Sequence, residues 1–439
     1  MNTQKDSPSP SGTSRRSFLK TSATAASVAA LGGLDLSRSA HAAGSDTLKV
    51  GLIGCGGRGS GAAVNCMNGD PSVRLVAMAD IFVDRVESSR ENLRKANKNQ
   101  VGVENDHCFA GIDGAKKVIA SDVDLVLIAC ASKFHPEYLK ACVEAGKHVF
   151  VEKPNAIDPP GVRMVLAAAE EAKKKKLCVA SGLMSRYSPA WRETVKRVHD
   201  GAIGEVVAAE SNFLRAPYQL VEPKPGWSEI EYQYRNWYHF TWLSGDDVIQ
   251  SLVHNVDRIS WAMQERLPVK AHGLGGRASM FGKIYGNVFD HHSVIYEYDN
   301  GARLYAFCST HTGCHGDYSD TLHGTKGRCE LMKATITGEN KWRFKGPEAN
   351  MYDVEHQELV AAIRAGTPIN DGVHMAHSAM FGILGQMACY TGRQLTWEEA
   401  LASDFKFGPD KCDFSMEPPV KPDEKGIYPV AMPGFTKLA

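Results

Sequence analysis

The feature that most constrains this chain is a glycine-rich loop that directly follows a short apolar segment. Residues 48–53 form an apolar run of strand length, and Gly54-Cys55-Gly56-Gly57-Arg58-Gly59 comes next. This G-x-G-x-x-G pattern joins the first strand of a dinucleotide-binding sheet to a helix. We predict that Gly54 makes the tight turn, Gly56 admits a pyrophosphate and Gly59 lets helix and strand pack closely. The neighbouring Gly57 and Arg58 belong to the same predicted cofactor site.

An acidic residue follows the next predicted strand. Residues 73–79 are apolar and end in Asp80, 21 residues after Gly59. A carboxylate at this place hydrogen-bonds the adenosine ribose hydroxyls and repels a ribose phosphate. The sequence therefore predicts NAD as the cofactor, with NADP less favoured, although Arg58 and Arg85 would weaken that preference.

Two more strand and helix patterns complete the first half. Residues 123–130 and 148–151 read as buried strands, and a helix is predicted over 135–145. Alternating strands and helices indicate a doubly wound parallel sheet, which binds ligands at the carboxyl ends of its strands. Four candidate cofactor contacts fall at those ends: Ser132, His135, Glu152 and Lys153.

The second half has a different pattern. Residues 205–213, 270–274, 290–298 and 303–309 read as strands, and Asp299-Asn300-Gly301 is a hairpin signal. We therefore expect an α/β protein with an N-terminal Rossmann sheet and a C-terminal α+β domain with a mostly antiparallel open sheet. The predicted divisions are a signal peptide over 1–42, an NAD-binding domain over 46–156, a substrate domain over 157–403 and a proline-rich extended arm over 404–439.

The glycine loop, Asp80, Lys133-Phe134-His135 and Glu152-Lys153-Pro154 together resemble the glucose-fructose oxidoreductase and inositol dehydrogenase family, Gfo/Idh/MocA. The resemblance extends over essentially the whole mature chain and includes looser motifs around Tyr187 and His254. It implies that Lys153 lies beside the nicotinamide and the reacting sugar carbon, and that the peptide before Pro154 is cis. It also implies that the open sheet covers the nicotinamide.

Alcohol oxidation with NAD needs a base for the hydroxyl proton. A lysine amine can move that proton when burial and a nearby positive charge lower its pKa, so Lys153 and His254 are the predicted catalytic residues. Gln250, His254 and Asp257 are spaced to share one helical face, and Asp257 is expected to fix the His254 tautomer. Inositol dehydrogenases carry aspartate where Gln250 stands, so inositol is expected to be a poor substrate.

An aromatic segment over 232–242 offers a second set of candidate substrate contacts. Aromatic faces with interspersed amide and guanidinium groups suit sugar rings, although packing at a domain junction fits the pattern equally well. The predicted substrate-binding residues are Tyr187, Arg235, Trp237, Tyr238, Gln250 and Asp257. The histidines between His291 and His323 match no metal-ligand template in their spacing, so no metal site is predicted.

The N-terminus carries an export pattern. Ser14-Arg15-Arg16-Ser17-Phe18-Leu19-Lys20 is followed by an alanine-rich stretch and Ala40-His41-Ala42, which resembles a twin-arginine signal peptide. We therefore expect the export machinery as a partner and a periplasmic or otherwise exported location. No run reaches the roughly 20 apolar residues of a membrane-spanning helix.

Composition excludes other classes. The formal net charge is zero over 439 residues, which argues against a nucleic-acid-binding protein. The favoured function is an exported oxidoreductase that transfers hydride between tightly bound NAD and a secondary hydroxyl of a sugar. The alternatives are an NAD-dependent glycosidase or lyase that works by transient oxidation and elimination, and a silent sugar-binding protein. A homo-oligomer is expected.

Overall fold

Six parallel strands form the first sheet of the computed structural model, which describes residues 47–97 and 99–438. The sheet has the order β3-β2-β1-β4-β5-β6. Its strands are β1 (Leu48–Ile53), β2 (Val73–Asp80), β3 (Cys108–Ala110), β4 (Leu125–Ile128), β5 (His148–Val151) and β6 (Val179–Ser181). The helices between them are α1 (Gly57–Gly69), α2 (Val83–Ala96), α3 (Gly114–Ala120), α4 (His135–Glu144) and α5 (Pro159–Lys174).

The central strands are buried on both faces. All four residues of β4 are inaccessible to solvent, as expected for a parallel strand with helices on either side. The first sheet also continues past residue 156, where the sequence predicted the domain to end, because β6 pairs with β5. The second predicted domain therefore begins after β6.

Nine strands form the second sheet, in the order β14-β13-β12-β11-β7-β10-β9-β8-β15. Neighbouring strands are antiparallel except for the parallel pair of β7 and β10. The strands are β7 (Val206–Arg215), β8 (Lys270–Gly276), β9 (His291–Glu297), β10 (Arg303–Thr310), β11 (Asp317–Gly324), β12 (Gly327–Glu330), β13 (Thr335–Gly338), β14 (Trp342–Arg343) and β15 (Leu395–Thr396). The predicted fold class is confirmed.

Helices cover one face of this second sheet. Buried residues alternate along β9, where His292, Val294 and Tyr296 point inward, and the Tyr296 hydroxyl donates to the Phe381 carbonyl at 2.7 Å. The helices after the first sheet are α6 (Pro189–His199), α7 (Glu229–Arg235), α8 (Thr241–Ser244), α9 (Asp247–Gln250), α10 (Val253–Ala262), α11 (Met351–Ala365), α12 (Gly372–Thr391) and α13 (Trp397–Ala402). Short 3₁₀ helices span Asn105–His107, Ser132–Phe134, Met184–Tyr187, Trp237–His239, Lys283–Tyr285 and Leu331–Lys333.

The helical pattern over 245–263 is divided in the structure. It forms α9 and α10, with a turn between them at Ser251 and Leu252. The Ser251 hydroxyl donates to the Asp247 carboxylate at 2.6 Å and accepts from Arg215 at 2.7 Å. Side-chain bonds of this kind compete with a regular helix, and Gln250 and His254 consequently lie on two separate helices.

The proline-rich C-terminal segment carries no helix or strand within its described part, 404–438. Tyr428 is buried, with its ring 5.0 Å from that of Phe240, and the Phe414 ring lies 5.8 Å from that of Phe82. These contacts attach the segment to the rings of Phe240 and Phe82. The predicted signal peptide lies outside the described residues. Of the helices that the structure does describe, none has the length and hydropathy to cross a bilayer.

Candidate active site

The glycine loop forms an open cradle at the start of α1. A Cβ atom added to Gly56 or Gly57 would meet nothing within 4 Å, whereas one on Gly59 would lie 1.9 Å from the Gly54 carbonyl oxygen. Gly54 itself has φ +96°, which disfavours any residue with a side chain. Gly56 and Gly57 therefore leave room for a ligand. Gly54 allows the tight turn and Gly59 the close packing that the sequence predicted.

Asp80 closes the loop from the end of β2. Its carboxylate accepts hydrogen bonds from the amides of Cys55 at 2.8 Å and Phe82 at 3.1 Å. Burial raises the pKa of Asp80, against the effect of these amides and Arg85. The uncapped N-terminus of α1 and this carboxylate supply donors for a pyrophosphate and an acceptor for ribose hydroxyls, so the site fits NAD.

Arg58 and Glu152 join the glycine loop to the end of β5. The Arg58 Nε atom lies 3.0 Å from the Glu152 carboxylate, and the guanidinium carbon lies 4.9 Å from the Tyr352 ring centre. Burial raises the pKa of Glu152, while Arg58 and Lys153 oppose that shift. Arg58 is thus held by protein groups, which limits its capacity to attract a ribose phosphate.

His135 serves a structural purpose in this geometry. Its Nδ1 lies 2.8 Å from the Pro154 carbonyl and its Nε2 lies 2.9 Å from the Cys130 carbonyl. Burial lowers the pKa of His135 to about 4. The ring bridges the chain after β4 to the turn after β5, and both nitrogens face protein carbonyls. The predicted direct contact of His135 with the cofactor is therefore replaced by positioning of the loops around it.

Lys153 connects this edge of the first sheet to α9. Its Nζ atom donates to the Gln250 carbonyl at 2.7 Å, and the Lys153–Pro154 peptide is cis. The Gln250 side chain in turn donates to Ser132 Oγ at 2.8 Å and to the Ser244 carbonyl. The predicted catalytic lysine, the predicted substrate amide and one predicted cofactor contact therefore form one hydrogen-bonded group.

A small cleft adjoins this group, and Tyr238 and Gln250 are among the residues that line it. The role of these two residues in substrate binding stays a prediction. The other lining residues are Arg215, Tyr218, His239, Asp247, Met280, Val288 and Thr310. The mixture of aromatic faces, a guanidinium and a carboxylate matches the apolar faces and hydroxyl groups of a sugar ring.

The charged pair in the cleft was missed by the sequence analysis. Arg215 donates to the Asp247 carboxylate, and its guanidinium carbon lies 3.5 Å from the Tyr218 ring centre. Burial raises the pKa of Asp247, while Arg215 opposes the shift. Asp247 Oδ2 is buried without a hydrogen-bond partner among the described residues. The sequence did contain a signal for this pair, because Arg215 stands at the end of a strand and Asp247 at the start of a helix.

His254 lies near Lys153 in a buried position. Burial lowers the pKa of His254 well below its usual range, and the positive charge of Lys153 adds to this effect. Its Nδ1 atom has no hydrogen-bond partner within the described part of the chain. The buried imidazole is therefore neutral, and the catalytic role of His254 stays a prediction.

Asp257 does not fix the tautomer of His254, contrary to the sequence analysis. Its carboxylate accepts from the Arg186 guanidinium at 2.8 Å and from Ser378 Oγ at 2.9 Å. The Asp257 side chain is fully buried. It is therefore a structural anchor of α10 and not a substrate contact.

Three other predicted substrate contacts also lie outside the cleft lining. Tyr187 is buried with its hydroxyl 3.3 Å from Asp371. Arg235 lies over Phe82 at 3.8 Å, which places it toward Asp80 and the adenosine end of the site. Trp237 stacks on Tyr238 with ring centres 3.9 Å apart. Of the predicted contacts in the aromatic segment, only Tyr238 lines the cleft. The substrate roles of Tyr187, Arg235 and Trp237 stay predictions.

Comparison with known proteins places this geometry in a family. The model described as "Oxidoreductase family, NAD-binding Rossmann fold" matches residues 48–181, and the "GFO/IDH/MocA C-terminal domain" matches residues 191–330. Together they cover more than half of the chain. The chain therefore belongs to the GFO/IDH/MocA family of oxidoreductases, and its predicted cofactor class, NAD, is confirmed.

Individual relatives are distant. Inositol 2-dehydrogenase 3 of Saccharopolyspora erythraea is 26% identical over 333 residues, which cover 73% of this chain and 86% of the relative. A glycosyl hydrolase family 109 protein of Porphyromonas gingivalis is 28% identical over 171 residues, 38% of this chain and 35% of the relative. The solved aldose-aldose oxidoreductase of Caulobacter crescentus is 18% identical with a TM-score of 0.59, covering 80% of this chain and 99% of that one.

Proposed function

We propose that this protein is an exported oxidoreductase that transfers hydride between tightly bound NAD and a secondary hydroxyl of a sugar or sugar derivative. The observation that carries the proposal is the position of Lys153. Its amine is hydrogen-bonded to a residue of the cleft wall, Gln250, at the sheet edge that also holds the glycine loop. A proton-transferring group, a dinucleotide cradle and a polar aromatic cleft therefore adjoin one another.

The protein groups divide the work as follows. NAD held by the glycine loop and Asp80 would supply the hydride acceptor for alcohol oxidation and the hydride donor for the reverse reaction. The Lys153 amine takes or gives the hydroxyl proton, and neutral His254 relays it onward. The unpaired Asp247 Oδ2 accepts a hydrogen bond from a neighbouring substrate hydroxyl. Tyr218 and Tyr238 pack against the sugar ring.

Export adds a condition to the catalytic cycle. The twin-arginine pattern at residues 14–20 supports transport of the folded, cofactor-loaded protein. Free nicotinamide nucleotide is not expected outside the inner membrane, so bound NAD must be regenerated within the site. Transfer of hydride from one sugar to another satisfies this condition.

A second candidate function also satisfies it. Transient oxidation acidifies a neighbouring C–H bond, allows elimination of a glycosidic substituent and is then reversed. The partial similarity to a glycosyl hydrolase family 109 protein favours this alternative. The third alternative, a silent sugar-binding protein, is disfavoured by the intact glycine loop, Asp80 and Lys153.

Self-association is a further part of the proposal. Helices cover one face of the nine-stranded sheet, whereas the other face presents Leu274, whose exposure is 78%. A second copy of the chain would remove this apolar surface from water. Sedimentation of the purified protein should show a homo-oligomer, and Leu274→Glu should shift it toward monomer.

A panel of free sugars and glycosides tests the function. We expect NADH absorbance to appear transiently with the correct sugar, with product masses that distinguish oxidation from elimination. If no sugar of the panel changes the NADH absorbance but some sugars bind, the protein would instead be a catalytically silent sugar-binding protein. Released aglycone without a net redox change would favour the glycosidase.

A further inference from the structure

A buried carboxylate and two histidines meet at one end of the neighbouring strands β9 and β10 in the second sheet. Asp290 precedes β9, His291 is its first residue, and His311 follows β10. Asp290 Oδ1 lies 2.7 Å from His291 Nδ1 and 3.1 Å from His311 Nε2. All three ligand atoms lie within 4.8 Å of one another. Two strand ends and the chain before them therefore direct three donor atoms to one point.

The carboxylate is held in place before any ligand binds. Its other oxygen, Oδ2, accepts hydrogen bonds from the backbone amides of Ala278, Ser279 and Met280 at 2.8, 2.8 and 3.1 Å. These three backbone donors fix the carboxylate in one orientation, as a metal ligand requires.

The two histidines differ in what they already bind, because His291 Nδ1 shares a hydrogen bond with Asp290 Oδ1. His311 Nε2 approaches Asp290 without hydrogen-bond geometry, and it is a buried nitrogen with no hydrogen-bond partner among the described residues. The side chain of His291 is 40% exposed, which leaves a route from solvent to the cluster. An unpaired nitrogen aimed at a fixed carboxylate is costly unless something satisfies it.

Two imidazole nitrogens and one carboxylate oxygen form a donor set typical of Zn²⁺ and neighbouring divalent metals. Bonds of about 2.0–2.2 Å in a tetrahedral site put the ligand atoms roughly 3.3 Å apart. Both separations from Asp290 Oδ1 are close to that value, and the two histidine nitrogens lie within 4.8 Å of each other, so side-chain shifts of about 1 Å or less would place all three atoms around one ion. The fourth position would be filled by water.

We propose that Asp290, His291 and His311 form a binding site for a divalent transition-metal ion of the Zn²⁺ class. Its location gives it a role in shaping the cleft. The connection between β8 and β9 contributes Met280 and Val288 to the cleft lining, and Thr310 lines the cleft from the residue before His311. The ion ties this connection to the end of β10 and so holds one wall of the substrate cleft.

Metal binding can be measured without any assumption about the substrate. Protein purified without a polyhistidine tag, stripped with a chelator and dialysed, is titrated with Zn²⁺ in competition with a chromophoric chelator. We expect one equivalent per chain, and Co²⁺ should give the visible absorption of a tetrahedral site. Absence of stoichiometric binding would overturn the proposal.

Two variants and two controls assign the site. His291→Ala and His311→Ala should each lower Zn²⁺ affinity by more than the roughly 100-fold that loss of an outer partner costs. His272→Ala and His323→Ala lie on the same sheet outside the cluster, and they should bind as the wild type does. Equal affinity in all four variants would show that the ion binds elsewhere and refute the assignment.

Thermal unfolding provides a second readout and checks folding. Zn²⁺ should raise the Tm of the wild type and of both controls, because it binds the folded chain preferentially. The same addition should leave the Tm of the His311→Ala variant unchanged. A Tm increase of equal size in that variant would contradict a site built on His311.

Discussion

Individual side chains reach the cleft from distant parts of the chain. Lys153 follows β5, Arg215 ends β7, and Asp247 and Gln250 lie on α9. Gln250 cannot ionise, yet its backbone carbonyl accepts a hydrogen bond from the lysine amine, and its side-chain amide donates one to Ser132. The carboxylate of the cleft comes instead from Asp247, one helical turn earlier. In the proposed function, proton transfer and substrate positioning therefore belong to different residues.

Replacing Lys153 by methionine tests proton transfer directly. Lys153→Met keeps the length and apolar packing of the stem but removes the amine. We expect folding and NAD retention to persist while turnover falls by about 10²- to 10⁴-fold. Steady-state kinetics and NAD release on denaturation measure the two effects. Lys140→Met, at an exposed helix position, should match the wild type. Normal turnover of Lys153→Met would make Lys153 structural.

Gln250 and His254 should differ in their kinetic effects. Gln250→Ala removes bonds that shape the cleft, so we expect KM to increase more than kcat falls. His254→Ala removes a proton acceptor, so kcat should fall with a smaller change in KM. Steady-state kinetics with the best sugar of the panel give kcat and KM for both variants and for the wild type. Equal collapse of kcat in the two variants would indicate a joint relay instead.

His356 predicts a pH dependence of stability. It is fully buried, its ring lies 4.3 Å from Phe150, and burial, aided by Arg58, lowers its pKa to about 3. The unfolded chain binds this proton near pH 6.5, so the free energy of unfolding decreases as pH falls below 6.5. Linkage gives about 2 kcal/mol lost between pH 7.5 and 5.

Denaturant unfolding of His356→Phe across this pH range measures that contribution. The variant should lose less stability than the wild type as the pH is lowered. His315→Phe, which changes an exposed histidine, should retain the wild-type slope. An unchanged slope in the His356→Phe variant would mean that this histidine stays paired or protonated in the folded state.

Helix α10, which carries His254, packs against β7 and β11 of the second sheet. Asp257 holds it to Arg186, and Arg258 holds it to Asp320 on β11. Both Arg258 and Asp320 are fully buried, with Arg258 Nε 2.5 Å from Asp320 Oδ2. Asn255 donates to the same carboxylate at 2.9 Å. The helix that carries His254 is therefore fixed by buried charge pairs in addition to its apolar contacts.

Breaking one of these pairs should destabilise the protein strongly. Asp320→Ala leaves the Arg258 guanidinium buried and unpaired, which costs about 3–5 kcal/mol of unfolding free energy. Urea unfolding measures it. Asp200→Ala removes an exposed pair with Lys196 and should leave the midpoint nearly unchanged. Similar midpoints for both variants would show that water reaches Arg258.

The molecule as a whole should retain its nucleotide. The glycine loop, the Asp80 carboxylate and the lysine turn surround one dinucleotide site, and export in folded form would favour tight binding. Protein purified without added nucleotide should release NAD, not NADP, on denaturation. Asp80→Ala should weaken NAD binding and narrow the gap between NAD and NADP. An unchanged preference would mean that Asp80 does not face the ribose.

Local pattern was sufficient for the nucleotide half. The apolar run of β1, the glycine loop and Asp80 are close in sequence, and the turn, the helix start and the acid follow from backbone sterics and strand periodicity. Four strands of the second sheet, β7 to β10, were also predicted from alternation and a hairpin signal, whereas β11 to β15 were not predicted. The resemblance to the family placed Lys153.

Only the tertiary structure decided which side chains share the cleft. Arg215, Tyr218 and Asp247 enter it because β7 and the divided helix around Ser251 meet there, and no short-range pattern encodes that meeting. Tyr187, Arg235 and Asp257 lie outside the cleft lining. Tyr187 binds Asp371, Arg235 lies over the Phe82 ring, and Asp257 pairs with Arg186. Long-range pairing also gathered Asp290, His291 and His311, whose irregular spacing in sequence had suggested no site. Packing and the pairing of buried charges therefore determine which residues line the cleft, whereas local periodicity determines which strands and helices form.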